Sequence, residues 1–284
     1  MVEELGIKYL FVNDYEEVLE LLKANLRVTI LMGNPINANT VFYPNVIYTL
    51  NSLDDFKYLD VQKQDVNLHI QIDTGMNRLG LKTKDEYLLT LDKIKNNPFL
   101  HLDGIYTHFV SLKEANKQLQ LFKNFVNEYD YNMVHCLASS TFEHLDFGNY
   151  VRVGLALYNH QQILTIKTKA ISIRKIAKGE GIGYNMAYVA SRDMRIAILP
   201  IGYGNGYRLG LRNFFVYANN KRYPLVGNIC MNHIFVEIDE DIDLDTEFIL
   251  TSPQLLVAEL AKHLGVHNYE VYVGFKFREV KYIL

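Results

Sequence analysis

The 284-residue chain is 49% hydrophobic with a formal net charge of -3: enough apolar content for one large core or two ordinary ones, and no basic field to attract nucleic acid or an anionic membrane. Its two cysteines, Cys136 and Cys230, lie far apart in apolar settings, which points to reduced thiols and away from a disulfide framework or a metal site. No run approaches the roughly 18 apolar residues that span a bilayer, and the opening "MVEELGIKYLFVND" carries acids where a secretory signal carries bases, so a cytoplasmic enzyme is expected.

In chain order, short apolar strands alternate with amphipathic helices. The strands are "KYLFVN", "RVTILMG", "VIYTL", "NLHIQIDTG", "LDGIYTHF", "NMVHCLAS" and "YVRVGLALY". Helical spacing fills the intervals "DYEEVLELLKANL", "SLDDFKYLDVQ", "KDEYLLTLDKIKNN" and "KEANKQLQLFKNFVNEY". Such βα repetition predicts a parallel sheet. No G-x-G-x-x-G turn opens the first unit, which favours a (β/α) barrel over a dinucleotide-binding sheet. Seven strands are found where a closed barrel has eight.

After about residue 160 the texture changes to short β runs with glycine and asparagine turns: "AISIRKIAKGEGIGYN", "MRIAILPIGYGNGY", "FFVYANNKRYPLVGNICMNHIFVEID" and "EFILTS". One helix, "QLLVAELAKHLG", precedes the final segment. The expected architecture is a barrel-like α/β domain over residues 1-162 followed by a mostly antiparallel β domain over 163-284.

Candidate chemistry gathers at the strand ends. Asp73, Gly75 and Arg78 interrupt the apolar run of "HIQIDTGMNRLG", and charges beside a core are costly unless used. His108 closes one strand, His135 sits in another, Ser139 ends it, and Arg152 lies within the last. Arginine in an apolar strand keeps its charge and needs an acceptor, either a structural carboxylate or a ligand. "GYGNGYRLGL" holds Tyr203 in a glycine-rich turn, suited either to plain packing or to presenting a phenol for proton transfer. No histidine spacing suggests a metal.

Taken together and in order, "IQIDTGMNRLGL", "YTHF", "RVGLALYN", "RIAILPIGYGNGY", "PLVGNICMNH" and "NYEV" resemble the alanine racemase family, the fold type III enzymes dependent on pyridoxal phosphate, over nearly the whole chain. The resemblance implies a homodimer that racemises L-alanine and D-alanine, supplying D-alanine for peptidoglycan. It matches Tyr203 to a catalytic base given to the partner subunit's site and His108 to the histidine that tunes it. Arg152 matches the arginine facing the pyridine nitrogen, with His135 supporting it from behind. Ser139, the backbone N–H groups of Gly154 and Leu155, and Tyr269 match the phosphate cradle. Arg78 matches the contact to the cofactor's phenolic oxygen and the substrate carboxylate, and the backbone of Met231 a second carboxylate contact. A guanidinium only donates, so the nitrogen facing it stays unprotonated.

The sequence departs from the family in places. The family's first strand, carrying the Schiff-base lysine in a block like "VVKANAYGHG", has no counterpart, so the barrel is expected to lack its first βα unit and to be N-terminally truncated relative to the family. Lys8 precedes the wrong strand. Retention of Tyr203, His108, Arg152, Ser139 and Tyr269 favours truncation over decay to a catalytically inactive, cofactor-binding remnant; a racemase of another amino acid is the remaining alternative. Gln71 stands where many members have a lysine, Asn205 and Asn232 where Asp is usual, and Ala138 where Asn commonly precedes the serine.

Overall fold

The computed structural model describes residues 4–159, 162 and 164–276, and its contacts divide the chain into two compact units, Met1–Ala156 and Leu157–Leu284. In the first unit seven parallel strands follow one another in sequence order: β1 (Tyr9–Val12), β2 (Thr29–Met32), β3 (Val46–Leu50), β4 (Val66–Ile72), β5 (Leu100–Thr107), β6 (Met133–Ala138) and β7 (Tyr150–Arg152). Between them run α1 (Tyr15–Lys23), α2 (Phe56–Leu59), α3 (Lys84–Lys95) and α4 (Leu112–Val126), with α5 (Leu155–Asn159) after β7. Local chemistry sets the helix starts. Asp14 and Thr83 form capping boxes with Glu17 and Glu86, and Ser111 caps α4, each satisfying amide groups that the first turn leaves unpaired.

The sheet curls into a nearly closed barrel. Tyr9 on edge strand β1 meets Tyr150 on edge strand β7 edge to face, ring centres 5.3 Å apart, so these side chains span the seam between two strands that share no ladder pairing among the described residues. Behind the strands, Ile30, Tyr48, Leu68, Ile70, Ile105 and Phe122 are among the fully buried core.

Two expectations need correction. "YVRVGLALY" is not one strand: it ends at Arg152, and α5 begins at Leu155, because the Gly154 and Ala156 amides donate to Ser139 Oγ (3.0 and 3.1 Å) rather than to a neighbouring strand. "QLLVAELAKHLG" becomes helical only from Val257, as Ser252 and Leu255 pair with each other and Gln162 Oε1 accepts the Val257 N–H at 2.7 Å.

In the second unit, β8 (Ile166–Lys169), β9 (Ser172–Ile176), β12 (Met194–Leu199), β13 (Phe215–Ala218), β14 (Lys221–Val226), β15 (Ile234–Ile238) and β16 (Glu247–Thr251) form one curled antiparallel sheet in the order β8-β16-β13-β14-β15-β12-β9. A small hairpin, β10 (Gly181–Ile182) with β11 (Tyr188–Val189), and helices α6 (Val257–Leu264) and α7 (Asn268–Gly274) complete it. Its own core includes Leu199, Tyr207, Val216, Val236 and Phe248. Among the described residues no helix is long and apolar enough to cross a membrane.

Candidate active site

Parallel pairing brings the carboxyl halves of the barrel strands level, so that Thr49 stands beside His69, Gln71 beside Tyr106, Tyr106 beside His135, and Ala138 beside Arg152. Strand alternation then turns Thr49, His69, Gln71, Tyr106, His135 and Arg152 into one linked polar set.

Arg152 is its hub. Nη1 donates to His135 Nδ1 (3.1 Å) and Nη2 to the Thr107 carbonyl (2.6 Å), with His108 Nδ1 at 3.4 Å. The guanidinium carbon lies 4.7 Å from the Tyr106 ring centre and 5.4 Å from that of Phe11, so two aromatic faces hold it. Among the described residues it has no carboxylate partner, and its Nε–H has no acceptor. Burial lowers its pKa, the expected strain of a cation held without a direct anion.

The histidines answer to that charge. Burial, then the charges of Arg152 and Arg78, push His108 down to about 4. His135 is lowered well below its ordinary value by burial first and Arg152 second. Both are neutral at physiological pH. Because an arginine only donates, each ring accepts at Nδ1 and carries its proton on Nε2.

Tyr106 braces the set. Its fully buried ring stacks on His135 (4.8 Å, 17°), and its hydroxyl donates to Gln71 Oε1 at 2.8 Å with Thr49 Oγ1 3.2 Å away. Gln71 is thus committed to Tyr106, and no hydrogen bond joins it to Arg78 among the described residues. Asp73 is structural. Its buried carboxylate accepts the Gly75 and Asn77 amides (2.9 and 3.0 Å), and the loop returns to the sheet through Leu81, paired with Gln71 and Asp73. At the tip of that loop Arg78 is exposed and makes no hydrogen bond or ion pair among the described residues.

Ser139 Oγ gathers Gly154 and Ala156, so the Gly154 amide expected to face a phosphate is already spent on the serine. What the turn presents is the serine hydroxyl and the Leu155 N–H, which has no partner among the described residues.

In the second unit three sequence blocks meet. Tyr203 begins a short 3-10 turn (Tyr203–Asn205) and is 45% exposed; its amide donates to the Cys230 carbonyl (3.1 Å), and Gly204 N–H donates to the Met231 carbonyl (2.8 Å). Met231 is exposed, and its own N–H has no partner among the described residues. Asn205 accepts the Gly202 amide at 3.2 Å. Gly206, with φ at +88°, lies so close to the Gly274 carbonyl that no side chain fits, and Arg208 ion-pairs with Glu270. This seats α7, which carries Tyr269, against the "GYGNGY" turn. Tyr269 is 39% exposed beside the His267 ring.

The donor set fits pyridoxal phosphate: an unpaired Arg152 Nε–H suits a pyridine nitrogen, and the Ser139 turn with its free amide suits a phosphate. Lys8 stands at the amino end of β1, away from the strand ends that carry Ser139 and Arg152. Sequence reasoning overlooked Phe11, Thr49, His69, Asp103 and Tyr106. His69 and Tyr106 each lie two residues before a polar residue already noted, Gln71 and His108, and shared strand parity was the available signal.

Comparison with known proteins gives concordant results. The family model described as "Alanine racemase, N-terminal domain" matches residues 1–162, and "Alanine racemase, C-terminal domain" matches 163–283. Alanine racemase of Staphylococcus epidermidis is 32% identical over 238 residues, covering 75% of this chain and 62% of that enzyme, so the matched part is less than two thirds of that relative. Alanine racemase of Borreliella burgdorferi is 29% identical over 317 aligned positions, covering 98% of this chain and 84% of the relative. The solved alanine racemase of Clostridium difficile superposes with a TM-score of 0.88 at 26% identity, covering 97% of this chain and 81% of that one.

Proposed function

This chain belongs to the alanine racemase family, and from that premise we propose that it is a pyridoxal phosphate-dependent amino-acid racemase polypeptide that interconverts L-alanine and D-alanine. The observation that carries the reading is Arg152: a cation inside the barrel with His135 behind it, no carboxylate partner among the described residues, and its Nε–H left for a ligand.

When bound, pyridoxal phosphate withdraws electrons from the substrate's α-carbon and acidifies its proton. Arg152 Nε holds the ring nitrogen without giving up a proton. Ser139 and the Leu155 amide would hold the phosphate, a role the family resemblance also gives to Tyr269, and Arg78 at its loop tip would bind carboxylate. Tyr203 takes or returns the α-proton at its phenolic oxygen on one face, and neutral His108 serves as its hydrogen-bond partner. Tyr203 and Met231 are exposed, and the exposed Tyr184 and Leu209 line a groove of about 570 Å³, which supports a homodimer in which Tyr203 and Met231 serve the partner's site. D-Alanine for peptidoglycan is the product this assigns.

Among the described residues, the groups hydrogen-bonded to Arg152 are His135, His108 and the Thr107 carbonyl, with no lysine among them, which favours a cofactor-binding polypeptide without turnover as the second reading. Purified chain incubated with pyridoxal phosphate and L-alanine separates the two. D-alanine formation supports the racemase; cofactor retained through gel filtration without D-alanine supports the second reading, and neither result refutes both.

A further inference from the structure

Arg152 is compensated from a distance. Behind it, His135 Nε2 lies 3.0 Å from His69 Nδ1, and His69 Nε2 lies 3.4 Å from Asp103 Oδ2. Both rings are almost wholly buried, at 1% and 0% exposure, whereas the Asp103 side chain is 30% exposed and also accepts from Asn132 Nδ2 at 2.9 Å.

The donor inventory permits one arrangement. Arg152 can only donate, so His135 Nδ1 accepts; a neutral His135 then holds its proton on Nε2 and donates to His69 Nδ1, which leaves the His69 proton on Nε2, aimed at the carboxylate. Protonating either ring places two N–H groups face to face. Burial lowers the pKa of both rings, and His69 in turn lowers that of Asp103.

The fold makes room for this chain of groups. Pairing of β4 with β5 slips between Leu68 and His69, so that Leu68 faces Leu102 and His69 faces Gly104. Asp103 is the extra residue of that bulge, a device that re-aims a side chain. At Gly104 any Cβ would stand 2.6 Å from His69 Nε2, so the glycine clears the space in which the ring meets the acid.

We infer that Asp103 is a positioning residue that acts through His69 and His135 as the remote counter-anion of Arg152. Because the negative charge arrives through two neutral imidazoles rather than by direct contact, Arg152 is oriented and stabilised while its Nε–H stays available to an acceptor. This deepens the reading of Arg152 as the group facing the cofactor nitrogen, and its test is made on the full chain without cofactor or substrate, so failure of the racemase reading and failure of this one are distinguishable.

In ¹⁵N-labelled chain, long-range spectra of the imidazoles should show His69 and His135 each with a protonated Nε2 and a bare Nδ1 at neutral pH. A doubly protonated ring, or the Nδ1–H form of either, overturns the relay. Separately, urea unfolding of Asp103→Asn, Arg152→Gln and the double variant tests whether two residues not in contact are coupled. The product of the single effects on the unfolding constant should miss the double variant by roughly fivefold or more, where independent sites agree within about twofold. The discrepancy should vanish in a His69→Leu background. Agreement within about twofold in the original background, or a discrepancy that survives His69→Leu, overturns the proposal.

Discussion

Replacing Tyr106 by phenylalanine and by leucine separates what its hydroxyl does from what its ring does for the arginine site. Phenylalanine keeps the ring stacked on His135 and under Arg152 but strands Gln71 Oε1 and Thr49 Oγ1, on residues only 5% and 1% exposed. An unpaired buried acceptor costs about 1–3 kcal/mol, and Thr49 can turn to a backbone carbonyl, so about 2 kcal/mol is expected. Leucine loses the hydroxyl as well as the stack, worth about 0.5–1.5 kcal/mol, and a desolvated cation–π contact of up to about 2 kcal/mol, and it leaves part of the ring volume empty. The leucine variant should therefore be destabilised by about 2 kcal/mol more than the phenylalanine one. Urea unfolding of the first unit, followed by the shift in midpoint at constant m, measures this. Equal losses in the two variants would show that the ring neither supports Arg152 nor packs the barrel, and would refute the reasoning.

Other outcomes follow from the same geometry. His108 has a folded pKa of about 4 against an ordinary 6.5, so between these values the unfolded chain takes up a proton that the folded one refuses, and stability falls as the pH is lowered through that window. The full shift corresponds to roughly 3 kcal/mol, and about half of that is expected for a ring partly open to solvent; the urea midpoint should drop from pH 7 to pH 4.5 and drop less in His108→Asn, while an identical pH dependence would count against the assignment. Gly206→Ala puts a side chain at positive φ against the Gly274 carbonyl, and should cost about 3 kcal/mol in the second unit and loosen α7, visible as faster proteolysis near residue 270; unchanged resistance would contradict that packing. Met231→Glu buries a charge in the proposed dimer face, so sedimentation should shift toward the monomer, and a retained dimer would move the interface elsewhere.

The barrel strands β2 to β6 were legible because buried parallel strands read as continuous apolar runs bounded by capped helices, and Asp14, Thr83 and Ser111 mark the starts locally. The β texture of the second unit was legible in its turn residues for the same reason: glycine and asparagine tolerate the positive φ seen at Asn219, Asn220 and Gly227. The bland alternative for Arg152, a structural salt bridge, could not be dismissed from sequence, since the absence of a facing carboxylate is a property of several strands at once.

By itself the sequence determined which residues carry charge, which runs bury themselves and where the chain turns, since those follow from propensities and polarity a few residues apart. Only the tertiary structure decided what Arg152 answers to. The hydrogen bond to His135 and the carbonyl of Thr107 span 17 and 45 residues, and the slip that turns Asp103 toward His69 comes from pairing between β4 and β5. Direction and tautomer are set by which donors converge in space. "HIQIDTGMNRLG" shows both kinds: its Asp73 holds its own loop by local amides, while its His69 has meaning only beside strands that the local sequence does not contain.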